Sequence, residues 1–152
     1  MIRELDCDAV GLQEVDNGGG PGPGTMSLNM IAAATGMTAV AGLRLIRHMG
    51  HYGNALLTRC PILAVERHDL SYLGREPRGM LEVELQTRAG ILRVMVTHLG
   101  LLPWERRYQV RRILEIASAA PPEQTIVLMG DINEWWPRGR PLRLLHREFG
   151  HP

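Results

Sequence analysis

The chain has no lysine: all 17 basic residues among its 152 are arginine. Codon bias in a GC-rich genome explains this plainly. The formal net charge is only +1, which argues neither for nor against nucleic acid. Cysteine is scarce, and Cys7 and Cys60 lie too far apart to suit a zinc-ligand pattern. No apolar run approaches membrane-spanning length, and no basic-then-apolar leader opens the chain. The expected setting is soluble, reducing and cytoplasmic, with no integral membrane segment. The length suits one domain.

Against these absences stand three apolar runs that end in chemistry. Thr125–Met129 reads as a buried strand and leads into Gly130-Asp131-Ile132-Asn133. Gly130 lets the backbone turn. In an extended segment Asp131 and Asn133 point the same way, so a carboxylate and a carboxamide stand side by side. Such a pair can orient water or hold a phosphate oxygen. An EF-hand is excluded, because Trp135 stands where that loop needs Asp or Asn. Ala9–Val15 delivers Gln13 and Glu14 before breaking at Asp16-Asn17-Gly18. Ile91–Thr97 delivers His98. Sites in parallel and mixed sheets form outside the carboxyl ends of strands. A hard-cation ligand, a proton carrier and a water-orienting pair make a hydrolytic set.

Five short blocks occur in order: Leu12-Gln13-Glu14-Val15, Tyr52 to Arg59, Arg75-Glu76-Pro77-Arg78-Gly79, Val96-Thr97-His98-Leu99 and Gly130 to Asn133. This order resembles the endonuclease/exonuclease/phosphatase (DNase I-like) superfamily, from about Asp6 to Phe149. The resemblance implies an α/β (α+β) two-sheet sandwich with its site at one edge. It makes Glu14 the metal-binding carboxylate and Mg²⁺ (or Mn²⁺) the cofactor. It gives His98 contact with the scissile phosphate or a part in proton transfer. Asp131 would orient or deprotonate the attacking water, and Asn133 would hold a phosphate oxygen. Asn54 and Arg78 are its substrate-side candidates. The family's opening strand with an Asn and its closing Ser-Asp-His segment have no counterpart here. Residues 1–152 are therefore expected to form one partial domain, prone to self-association through unpaired strand edges.

The rest of the chain reads as connecting structure. Residues 17–24 form a Gly/Pro loop without the Gly-Lys-Ser/Thr of a P-loop. Met26 to Gly36 reads as a helix, capped by Ser27 and stopped by Gly36. Gly53–Thr58 and Ile62–Glu66 read as strands. Leu81, Val83 and Leu85 alternate with Glu82, Glu84 and Gln86, the pattern of a half-exposed strand, which pairs with Ile91–Thr97 through Arg88-Ala89-Gly90. Pro103–Ala120 and Pro141–Phe149 read as helices. Arg106, Arg107, Arg111 and Arg112 suit a solvated helix face better than a polyanion grip. Arg138, Arg140, Arg143 and Arg147 lie beside the predicted site, where attraction of phosphate is more credible. Trp135-Trp136 suits stacking on a base or lipid headgroup as well as packing on a neighbouring layer. His48 and His51 read as loop residues.

The resulting expectation is a divalent-metal-dependent phosphoesterase, acting on a phosphodiester, with DNA, RNA, phospholipid, inositol phosphate and small nucleotides left open as substrates. The rival is a catalytically incomplete fragment or scaffold that keeps the fold.

Overall fold

A computed structural model of the chain describes residues 2–16, 27–43, 45–47 and 50–150. After a short 3-10 turn (Ile2–Leu5) come β1 (Ala9–Asp16), α1 (Leu28–Thr35), β2 (Thr38–Ala41), β3 (Leu45–Arg47), β4 (Gly50–Thr58), β5 (Ile62–Asp69), β6 (Gly79–Thr87), β7 (Gly90–His98), α2 (Pro103–Ala117), β8 (Thr125–Asp131) and α3 (Arg140–Phe149). One sheet has the order β1-β4-β2, with β3 also on β4; the other runs β5-β6-β7-β8. All pairs are antiparallel except β7 with β8. This is the α/β sandwich expected.

Local signals set the element ends. Ser27 Oγ accepts the Met30 N–H at 3.4 Å, and Gly36 closes α1 in the left-handed region at φ 69°. Pro103 opens α2, where its missing N–H costs nothing. The Gly/Pro loop at 17–24 and His48 lie outside the described residues, and His51 falls within β4.

Three apolar layers hold the sandwich. Leu56 and Val40 of the first sheet meet Leu81, Val83, Leu85, Val94 and Val96 of the second. Outside the first sheet, Leu57 and Ala55 pack with Leu28 of α1. Outside the second, Met80 and Met95 pack with Val110 and Ile113 of α2 and Leu145 of α3. Each fully buried aliphatic side chain contributes about 1.5–3 kcal/mol.

One strand expectation needs refinement. The polar face of β6 is solvated only at its far end: Gln86 is exposed and Glu84 half-buried, but Glu82 is buried on the α2 side. Glu82 is 4% exposed, held by His68 Nε2 at 2.8 Å and Arg93 Nε at 3.1 Å. Its ion pairs replace water, so a charged residue of the alternating pattern is buried rather than solvated. Among the described residues β1 pairs with β4 alone, an edge position that agrees with the unpaired strand edges expected from the sequence.

Candidate functional site

Three strand ends meet where the two sheets come together. In the parallel register His98 lies opposite Asp131. Both follow the parity of Val96 and Met129, which face the space between the sheets. Sheet alternation therefore aims both side chains at the sandwich edge.

Glu14 arrives from the other sheet by a β-bulge. Leu12 pairs with Ala55 and Val15 with Gly53, so Gln13 and Glu14 occupy the space of one residue. Glu14 takes a left-handed φ of 55°. Gly11 allows β1 to approach: a Cβ there would stand 2.7 Å from Met129 Sδ and 3.2 Å from Val96 Cγ1.

The result is an imidazole between two carboxylates. His98 Nδ1 lies 3.8 Å from Glu14 Oε1, and Nε2 lies 3.9 Å from Asp131 Oδ2. Both distances exceed a hydrogen bond but lie within ion-pair range of a protonated imidazole. The His98 side chain is 13% exposed, against 54% for Glu14 and 56% for Asp131. A mostly buried base flanked by open carboxylates can pass a proton and leave oxygen ligands accessible to a hydrated cation.

Backbone geometry fixes Asp131. Gly130 has φ 135°, and a Cβ there would collide with the Thr97 carbonyl. Only glycine permits this close approach of β8 to β7. Asp131 Oδ1 then accepts the Asn133 N–H at 2.8 Å, and the Asp131 carbonyl accepts the Leu99 N–H at 2.9 Å.

Asn133 differs from the expectation. β8 ends at Asp131, and Asn133 is left-handed at φ 52°. It is buried, and Nδ2 donates to the Leu99 carbonyl at 2.7 Å. Asn tolerates this backbone region because its short polar chain bonds locally. Asn133 thus ties the Asp131 loop to the His98 loop.

The substrate-side candidates are buried. Asn54 Nδ2 donates to the Gly79 carbonyl at 2.8 Å, joining the two sheets. Arg78 is 4% exposed and pairs with Glu76 at 2.9 Å. It precedes β6, whose start lies beside the end of β7 in the antiparallel register, so it belongs to the same sheet end as His98.

Several residues were not anticipated. Arg106 is buried rather than solvated; Arg107, Arg111 and Arg112 are exposed as expected. The Arg106 guanidinium donates to the Gly100 and Leu101 carbonyls and pairs with Glu134 at 3.3 Å. Gln109 Oε1 accepts the Gly100 N–H at 2.8 Å. Together they clamp the loops that follow His98 and Asp131. The sequence clue is faint: an Arg and a Gln three residues apart at the start of a helix. A separate group, Glu66, His68 and Glu82, brings three ligand atoms within 4.8 Å of one another. It lies on the α2 side of the second sheet, where Arg93 already supplies a cation to Glu82.

Comparison with known proteins accords with this geometry. The Endonuclease/Exonuclease/phosphatase family model matches residues 1–150. YbhP of Escherichia coli K12, itself called uncharacterized, is 29% identical over 147 residues, covering 88% of this chain and 56% of YbhP. The chain thus spans about half the length of the curated relatives it matches. The human nocturnin catalytic domain with bound sulfate superposes with a TM-score of 0.77 at 17% identity, over 98% of this chain and 59% of that one. ANGEL2, a 2′,3′-cyclic phosphatase solved with adenosine-2′,3′-vanadate, gives 0.74 at 21% identity, over 96% and 45%. D. rerio TDP2 with a single-strand DNA product gives 0.68 at 19%, over 99% and 55%. At these identities the structures speak to fold, and the family model, which matches nearly every residue, speaks to kinship: the chain belongs to the Endonuclease/Exonuclease/phosphatase family.

Proposed function

We propose that the chain is a divalent-metal-dependent phosphodiesterase whose reaction centre lies at Glu14, His98 and Asp131. The observation that carries this reading is the His98 ring, 3.8 Å from one carboxylate and 3.9 Å from another at the junction of the sheets. Relatives by fold include a cyclic phosphatase and a protein solved with a DNA product, which supports phosphate ester chemistry.

The donor set fits a hard cation. Glu14 offers a half-exposed carboxylate, and Mg²⁺ or Mn²⁺ accepts few protein ligands while keeping its waters. A bound cation would supply charge stabilisation at the phosphate. The remaining work belongs to the chain. Asp131 orients a water and accepts its proton through Oδ2, while Oδ1 holds the Asn133 N–H. His98 stabilises the phosphate or delivers a proton to the leaving oxygen. Asn133 acts by holding the two loops in register.

The rival reading, a fold retained without a complete site, draws support from the thin ligand set: Glu14 and Asp131 are each more than half exposed. Hydrolysis of bis(p-nitrophenyl) phosphate and of a single-stranded oligonucleotide, with Mg²⁺, with Mn²⁺ and with chelator, separates the two. Turnover that needs metal and falls at least about a hundredfold in Glu14→Gln supports the phosphodiesterase. Absence of metal-dependent turnover supports the scaffold.

Self-association is part of the same proposal. β1 and β8 each have one sheet neighbour among the described residues. β8 also borders a groove of about 340 Å³ lined by Ile126, Leu128, Leu142 and Phe149. Unpaired edges favour pairing with another chain. Light scattering that gives a monomer mass at all concentrations would remove this part.

A further inference from the structure

We infer that the rim of the His98 cleft docks on an anionic phospholipid surface. This deepens the phosphodiesterase reading, on which it rests for its meaning, by choosing a substrate surface. Three loops leave the same end of the second sheet: 70–78 between β5 and β6, 99–102 after β7, and 132–139 after β8. They carry a concentration of exposed apolar side chains. Leu73 is 93% exposed, Leu101 66%, Trp135 88% and Trp136 67%. Trp104 and Tyr108, one turn apart at the start of α2, add 54% and 38%. The three tryptophans of the chain are all here.

Side-chain contacts join these loops into one rim. Tyr72 meets Tyr108 edge to face with centroids 5.4 Å apart. Arg106 links the Gly100–Leu101 carbonyls to Glu134, next to Trp135. A scattered exposed Leu needs no explanation, but a gathered apolar patch marks an interaction surface.

Charge and chemistry select the partner. Arg75, Arg107, Arg138 and Arg140 are exposed on the same loops and the adjoining helix starts. The nearby acids Glu76 and Glu134 are each held by a buried arginine, Arg78 and Arg106. Apart from the cleft carboxylates Glu14 and Asp131, and Asp69 at the end of β5, the outward charge of these loops is basic around an apolar centre, complementary to anionic headgroups above acyl chains. Indole and phenol rings prefer that boundary. A single nucleic-acid strand would use the rings for stacking, but Leu73 and Leu101 offer no π-face. Aliphatic side chains this exposed gain most by entering hydrocarbon.

Because every tryptophan lies on the rim, intrinsic fluorescence reports it alone. The free chain should emit as exposed indole. Vesicles of phosphatidylcholine with phosphatidylglycerol should shift the emission to the blue and sediment the protein, far more than phosphatidylcholine alone. Leu73→Ser and Leu101→Ser should each weaken partitioning about tenfold, from the transfer energy of a leucine side chain. Neither should change hydrolysis of bis(p-nitrophenyl) phosphate, which has no acyl chain. Emission unmoved by anionic vesicles overturns the inference. So does buried-indole emission from the free chain, or binding to a single-stranded oligonucleotide in preference to vesicles. Vesicle binding without hydrolysis would uphold the docking surface and remove the phosphodiesterase reading instead.

Discussion

Replacing Arg106 by Met should destabilise the fold by about 3–5 kcal/mol, the usual cost of removing one partner of a buried ion pair. The structure sets that magnitude. The Arg106 and Glu134 side chains are 6% and 9% exposed, so neither charge can turn to water without moving its loop. The substitution leaves Glu134 short of its cation and takes a donor from the Gly100 and Leu101 carbonyls. Met keeps most of the volume, which limits any cavity contribution. At about 2–4 °C per kcal/mol for a chain of this size, the melting temperature should fall by about 6–20 °C. Circular dichroism melts give the shift, and urea unfolding gives the free energy. Arg106→Lys should not restore the loss, because an ammonium lacks the planar fork that reaches two carbonyls and a carboxylate together. The double variant Arg106→Met with Glu134→Leu should recover part of it, since no buried charge remains unpaired. A loss below about 1 kcal/mol in Arg106→Met, the range of exposed pairs, would refute the clamp.

Gly130→Ala should fold poorly or lose the site, because the added methyl meets the Thr97 carbonyl at a φ of 135°; a natural melt with natural turnover would contradict it. Asn133→Ala should cost about 1–3 kcal/mol in urea unfolding, from the unpaired Leu99 carbonyl. Hydrogen bonds from Ser71 hold the Asp69 carboxyl below its ordinary range. Its folded value being depressed, the stabilisation is present above the unfolded value of about 3.9 and is lost as pH falls through the folded value. Asp69→Asn should therefore lower stability at neutral pH and make no difference at the acid end of a pH series of melts.

The legible parts of the chain were those where one local signal decides the outcome. Apolar runs ending in Gly, His or Glu located β1, β7 and β8, and the ordered motifs anticipated their convergence. Ser27 and Gly36 announced the ends of α1 correctly. The signals failed where distant partners intervene. Glu82 read as solvent-facing because nothing in β6 reveals that His68 and Arg93 satisfy it under α2. Arg106 read as part of a solvated stripe because Glu134 lies 28 residues away. Asn133 read as an open ligand for phosphate because nothing in its motif reveals the bond to the Leu99 carbonyl that buries it. β2 and β3, with four and three residues, are too short to carry a periodic pattern.

The most direct test is metal-dependent hydrolysis of bis(p-nitrophenyl) phosphate by the natural chain and by Asp131→Asn. The variant keeps an Oδ1 acceptor for the Asn133 N–H, so the loop should hold and the melt should not change. It removes the negative charge that prepares the water, and positioned acid–base groups contribute about a hundredfold to ten-thousandfold. The account predicts turnover in the natural chain with Mg²⁺ or Mn²⁺ and a loss of at least about a hundredfold in the variant. Equal turnover in the two proteins, or none in the natural chain with either metal, would contradict it.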